Sequence, residues 1–323
     1  MKILGIGNAL VDIILFLENE ALLSRFSLPK GSMQLVDAQM ASEVEAAAGS
    51  CQKHMASGGS AANTIHGLAR LGVETAFMGT VGKDSFGDFF MRDMESCGIV
   101  PLLASSATST GRAISLVTPG GERTFTTYLG AAVELAVSNL TTDLFRGYHH
   151  LHLEGYLVPN QQLVEKAFVL ARQNNMSVSL DMASFNVVEA NLPFLDRLIR
   201  QYKPIIFANE EEAKAFTGIT DPAEALGYLA GLTDSAIVKI GSRGSLIAHQ
   251  GTRYSAEAIR ANCIDTTGAG DLYAAGYLYG MAHNLSPDKC GTMGSLLAGK
   301  VIEEAGAKIS EAGWDYIRKN LKI

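Results

Sequence analysis

The chain has 323 residues, 47% of them apolar, and a formal net charge of −7 from 26 Lys and Arg against 33 Asp and Glu. That length suits one large α/β unit with a small appendage, and the apolar share can fill a substantial core. The acidic balance excludes a general attraction to nucleic acid or to an anionic membrane, so any anionic ligand has to be held by local donors.

Met1 to Gly5 lacks the basic stretch, apolar stretch and cleavage site of a secretory signal, and Ile3 to Gly7 predicts a buried strand. Gly5-Ile6-Gly7 is not a dinucleotide fingerprint, because Leu10 stands where the third glycine belongs and no long helix follows. Asp12 falls near the strand end, where open α/β sheets bind ligands. It reads as a double acceptor for neighbouring sugar hydroxyls or as a turn aspartate. Ile13 to Leu17 is broken by Glu18, and no apolar run is long enough to span a bilayer. Residues 13 to 36 predict short strands around a polar connection, and Asp37 to Ala48 a helix. Ser57 to Thr64 then runs into apolar residues at helical spacing. Gly58 and Gly59 let a ligand approach main chain, and Asn63 offers a donor and an acceptor to a hydroxyl.

Val73 to Gly79 predicts a strand, followed by a helix that stops at Gly98. Thr110 to Thr118 alternates, and Pro119 to Glu122 turns it into Arg123 to Tyr128, a hairpin. With parts of 13–36, strands within 99–130 predict a small discontinuous sheet on a single 323-residue domain, able to close over a ligand and exclude water. Arg112 and Arg123 read as solvated strand residues in preference to phosphate ligands. On a strand, His150, His152 and Glu154 share a face, but the outer two lie about 13 Å apart along it, too far to chelate one ion.

From Gln161 the chain alternates: helix to Asn174, strand Ser177 to Leu180, helix Val187 to Arg200, strand Ile205 to Ala208, helix Glu210 to Thr217, a helix opened by Asp221-Pro222, strand Ala236 to Ile240. Such alternation predicts a mainly parallel sheet with helices on both faces. Asn209 and Glu212, three apart, face one way on a helical turn and can orient the waters of a magnesium ion, or merely open a helix. Lys239-Ile240-Gly241-Ser242-Arg243-Gly244 is a strand end and a glycine turn. Asp265-Thr266-Thr267-Gly268-Ala269-Gly270-Asp271 precedes an apolar helix, Leu272 to His283. If Gly268 opens it, the N–H groups of Gly268 through Asp271 converge on one small volume that favours an anion. A carboxylate beside an anion cradle suits phosphoryl transfer, where it takes the proton of an attacking hydroxyl. The helix dipole should keep Asp271 ionised. A capped helix with an acidic first turn is the plainer alternative. Helices Pro287 to Glu304 and Trp314 to Leu321 close the chain. Its four cysteines are scattered with no Cys-x-x-Cys, which points to a reducing, cytoplasmic setting.

Four stretches in order, Gly7 to Asp12, Gly58 to Asn63, Asn209 to Glu212 and Asp265 to Asp271, resemble the motifs of the ribokinase or PfkB family of carbohydrate and nucleoside kinases. The resemblance implies a ribokinase-like fold, a small sheet as lid, and ATP with magnesium as cofactors. It assigns Asp271 the role of base beside Gly268, Ala269 and Gly270, and the sugar to Asp12, Gly58, Gly59, Asn63 and Glu154. Asn209, Lys239, Gly241 and Gly244 fall to the nucleotide, and Asn209 and Glu212 to magnesium through water. Gly155-Tyr156 and Tyr128 to Ala132 look like adenosine kinases, whereas Glu154 and Gly121 to Phe125 fit sugar kinases, so a sugar and a ribonucleoside stand level as acceptor. Dependence on a monovalent cation, and a monomer against a lid-paired homodimer, stay open. A non-catalytic sensor that keeps the fold is the contrasting possibility.

Overall fold

A computed structural model of the chain describes residues 1–49 and 51–321. Its strands are β1 (Ile3–Ile6), β2 (Leu10–Phe16), β3 (Met33–Leu35), β4 (Gln52–Gly58), β5 (Thr75–Gly82), β6 (Val100–Ser106), β7 (Gly111–Val117), β8 (Arg123–Tyr128), β9 (His150–Glu154), β10 (Ser177–Asp181), β11 (Ile205–Asn209), β12 (Ser235–Lys239), β13 (Ser245–His249) and β14 (Thr252–Ala256). Nine of them form the main sheet in the order β14-β13-β12-β11-β10-β9-β1-β5-β6. Its seven strands from β12 to β6 run parallel, and β13 and β14 close one edge antiparallel.

Alternate residues of these strands feed two separate cores, as the two-residue period of a strand requires. Ile3, Phe77, Phe207 and Ile237 join the core under helices Ser60–Arg70 and Ala269–Ala282. Leu4, Met78, Leu151 and Ile206 join the core under helices Gln161–Gln173 and Leu192–Tyr202. The helix Ala269–Ala282 has every residue from Leu272 to Gly280 buried. A helix apolar on all sides is stable only when it is enclosed, and this one packs between Ser60–Arg70 and Pro287–Val301. Strand order reverses around β1, which has β5 on one side and β9 on the other. Ligands of open α/β sheets bind at such a reversal, beyond the carboxyl ends of the strands. The chain leaves β1 there and enters β2, which carries Asp12.

A second sheet stands off the first in the order β3-β8-β7-β2-β4. One face, with Val11, Ile13, Leu15, Ile114 and Leu116, is buried in the core with helices Ala38–Ala47 and Ser85–Ser96. The other face presents Asp12, Ile14, Ala113, Ser115, Arg123 and Phe125 to a cleft over the main sheet.

The mainly parallel sheet, its helix layers and the small second sheet are those the sequence predicts; several details are not. The small sheet takes β4, a polar edge strand with no apolar period to betray it, while β6 pairs with β5 in the main sheet. The helix expected over 187–200 is two, Phe185–Ala190 and Leu192–Tyr202, because Pro193 lacks the N–H that would continue the first and fits the opening turn of the second. Arg112 is not solvated: it is 6% exposed, its guanidinium lies against the Phe86 and Tyr128 rings, and it bonds Glu45 at 3.1 Å. Arg123 is half-buried on the cleft wall, in an ion pair with Asp265. Among the described residues no helix is long and apolar enough to cross a membrane.

Candidate active site

The cleft between the two sheets has a volume of about 1230 Å³. A single drug-sized ligand occupies a site of roughly 300–1,000 Å³, so this one has room for two substrates end to end. Three segments build one end of it. Strand β2 brings Asp12, and the turn Gly58-Gly59 brings the helix Ser60–Arg70 with Asn63. Gly268 caps the helix Ala269–Ala282 at φ 77°, a left-handed conformation that favours glycine, and so sets Asp271 in its first turn. A Cβ on Gly58 would lie 2.1 Å from Asp12 Oδ1, so a glycine there is the condition for Asp12 to sit where it does.

Asp271 is tied at both oxygens: Ser60 Oγ donates to Oδ1 at 2.7 Å and Asn63 Nδ2 to Oδ2 at 3.0 Å, while Thr64 Oγ1 donates to its main-chain carbonyl at 3.1 Å. Burial, then Asp181 across the cleft, push its carboxyl up to about 6, and the donated hydrogen bonds and Lys239 only partly offset this. The helix dipole alone does not set its charge, although the group is still mostly ionised at neutral pH. Asp12 is also pushed up to about 6, by burial, with Lys308 opposing and Asp271 adding. In the cradle, the Ala269 N–H bonds the Thr266 carbonyl at 3.1 Å and is not free. The N–H groups of Gly268, Gly270 and Asp271 have no partner among the described residues, leaving three open donors where four were expected.

The other end is ionic. Lys239 Nζ bonds Asp181 Oδ2 at 3.1 Å and lies 3.1 Å from where a Cβ of Gly270 would stand. Burial works against its charge, but Asp181 and Glu212 outweigh it and hold the ammonium above its ordinary value. Asn209 and Glu212 turn toward each other: Asn209 N and Nδ2 donate to the two Glu212 oxygens at 2.7 Å each, and Glu212 N donates to Asn209 Oδ1 at 2.8 Å. This is a reciprocal cap on the helix Glu210–Thr217. Burial pushes Glu212 up to about 7, with Lys239 opposing and Asp181 adding. Two carboxylates that share one ammonium are short of positive charge. Among the described residues no three His, Cys, Asp or Glu side chains converge as a cage. That donor set fits a magnesium ion that keeps its waters and leans on phosphate oxygens.

Of the residues named from sequence, Asp12, Gly59, Asn63, Asn209, Glu212, Lys239, Gly241, Gly244 and Gly268 through Asp271 all line the cleft. Gly58 lies just behind it. Glu154 is a correction: it is 0% exposed and off the cleft wall, its oxygens accepting from Asn8 N at 2.9 Å and Ala61 N at 2.8 Å. It clamps the β1 exit to the helix Ser60–Arg70, and burial pushes it up to about 7. His150 and His152 bond Ser177 and Ser179 inside the main sheet, away from the cleft. Asp181 and Ser60 were missed, and Arg123, read as solvated, stands on the cleft wall. Asp181 directly follows the predicted strand Ser177 to Leu180, at the sheet's ligand-binding edge, a signal that was present; the ion pair of Arg123 with Asp265 had none.

This arrangement suits the movement of a phosphoryl group. The chain matches the model of the pfkB family carbohydrate kinases over residues 32–312 and belongs to that family. It is 34% identical to a probable sugar kinase from Rhizobium etli CFN 42, with a TM-score of 0.88 and 98% of each chain covered. The adenosine kinase from Sinorhizobium meliloti is 32% identical, with a TM-score of 0.87 over 98% of each chain. An adenosine kinase of Saccharomyces cerevisiae is 26% identical over 93% of this chain and 94% of its own. The protein is thus a phosphotransferase of the sugar and nucleoside kinase type, a class that uses ATP.

Proposed function

We propose that the protein transfers the γ-phosphoryl group of ATP to the primary hydroxyl of a ribonucleoside, with Asp271 as general base. The observation that carries this is the position of Asp271: it is bonded to Asn63, shares the mouth of the cleft with Asp12, and stands on the turn whose free N–H groups form the cradle. Asp12 holds the sugar by accepting from two hydroxyls. Asp271 accepts the proton of the attacking alcohol, while Ser60 and Asn63 keep its oxygens aimed. The N–H groups of Gly268, Gly270 and Asp271 receive the negative charge that builds on the transferred group. Lys239, Gly241 and Gly244 hold the nucleotide phosphates. Asn209 and Glu212, with Asp181, would hold magnesium through water, and the ion would supply neutralising charge to the phosphates. The small sheet closes the acceptor end as a lid and keeps water from competing with the alcohol.

A ribonucleoside is favoured over a free sugar by the apolar surface beside Asp12. Ile14, Ala113 and Phe125 give the lid a face suited to a flat base, whereas a hexose carries hydroxyls all round. ATP consumption across ribose, fructose, adenosine and inosine tests it. A purine nucleoside is expected to stand well above both sugars, and a sugar standing highest would reject the nucleoside assignment. No consumption with any alcohol would favour a non-catalytic sensor.

A further inference from the structure

We infer that Lys308 is a positioning residue for the reaction: its ammonium fixes the Asn63 amide in the orientation that presents Nδ2 to Asp271. The inference rests on Asp271 acting as the base. Lys308 Nζ donates to Asn63 Oδ1 at 3.3 Å, and Asn63 Nδ2 donates to Asp271 Oδ2 at 3.0 Å. An ammonium has only donors and an ionised carboxylate only acceptors, so an amide between them has one satisfactory orientation. Asn63 is 5% exposed on a buried helix. Lys308 does not line the cleft, whereas Asn63 does, so the lysine acts through the asparagine.

The backbone that carries Lys308 is itself fixed to the catalytic turn. The Gly306 N–H donates to Asp265 Oδ2 at 2.7 Å, and Ala307 packs so closely on Gly268 that a Cβ there would lie 2.6 Å from its own. One short segment therefore braces the loop before the cradle, the first turn of the cradle helix and the partner of the base. Asn63 Oδ1 is the one hydrogen-bond acceptor of Lys308 among the described residues. The lysine is nevertheless surrounded by titratable groups: Asp12, Asp93, Asp271 and Cys97 attract its charge, and its presence helps hold His66 neutral. Burial lowers its own pKa, and those neighbours partly restore it. Asp12 is faced by Lys308 and Asp271, while Asp271 is also faced by Asp181 and Lys239 from the nucleotide end.

The test compares Lys308→Met, Lys308→Gln and Lys308→Arg with the wild type. Lys308→Met is expected to lower kcat at least about tenfold with a smaller change in the ATP KM, and to move the acid limb of kcat/KM upward from about pH 6, because a charge that favours ionised Asp12 is gone. Lys308→Arg restores a charged donor and should recover kcat to within about threefold. Lys308→Gln keeps a donor without charge, so it should retain more kcat than Met while sharing the shifted limb. Variants that lose only melting temperature, with kcat, KM and the pH midpoint unchanged, would overturn the inference. NMR titration of the Asp12 and Asp271 carboxyls in unliganded wild type and Lys308→Met decides it without turnover. Midpoints that rise in the variant support the inference and unchanged midpoints overturn it, whereas a wild type that phosphorylates no alcohol counts against the base role of Asp271 alone.

Discussion

Two buried polar clusters lie along the same sheet, and they behave in opposite ways. In the middle, His150 bonds Ser177 at 2.7 Å and Ser179 at 2.8 Å, and His152 bonds Ser179 at 2.8 Å. Burial pushes these histidines down to about 3 and about 4, so the ladder is neutral, and among the described residues His152 Nε2 alone in it lacks a partner. At the carboxyl edge, burial pushes Asp12 and Asp271 up to about 6 and Glu212 up to about 7, beside main-chain donors with no partner among the described residues. A sheet interior tolerates polar side chains by completing their hydrogen bonds; its ligand edge keeps charge and donors in reserve.

The sharpest way to break this contrast is Asp271→Asn. Steady-state kcat should fall by roughly 10²–10⁴ if the base is lost, while the melting temperature holds or rises, because the fold disfavours the ionised carboxylate. Asp12→Asn should raise the KM for the acceptor by about 10–100-fold and leave the KM for ATP near wild type, from the loss of a hydrogen bond to a charged group worth ~1.5–3 kcal/mol. His150→Leu should do the reverse, costing about 1–3 kcal/mol of stability in denaturant titration through the loss of its two hydrogen bonds, to Ser177 and Ser179, with kcat/KM unchanged.

The smallest effect separates the clusters by sign. Asp12 and Asp271 keep protons in the fold that the unfolded chain releases from about pH 4, so stability from them falls as pH rises toward about 6. The histidines refuse protons that the unfolded chain takes up below about pH 6.5, so stability from them falls as pH drops toward 4. Melting curves between those limits should tilt one way in Asp271→Asn and the other in His150→Leu. The same tilt in both would mean the clusters are not electrically distinct.

Much of the edge was legible because its chemistry is written in short contiguous runs: Gly58 to Asn63 and Asp265 to Asp271 each place a turn and its functional side chain within a few residues. The alternation after Gln161 exposed the sheet for a similar reason. Residues whose surroundings come from distant segments were not legible. Glu154 sits at a strand end as a ligand residue would, yet the helix Ser60–Arg70 closes over it. Arg112 and Arg123 alternate like solvated strand residues, and only the packing of Phe86, Tyr128 and Asp265 shows otherwise. Lys308 follows a Gly-Ala step that carries no signal at all; its meaning comes from Asn63, 245 positions earlier.

The most direct test of a carboxylate base at the cradle is single-turnover phosphoryl transfer by rapid quench in wild type and Asp271→Asn, with acceptor and ATP binding measured by calorimetry on the same samples. The expected result is near-equal occupancy of both ligands and a transfer rate lower by about two orders of magnitude or more in the variant. Transfer at the wild-type rate with both sites filled would contradict it.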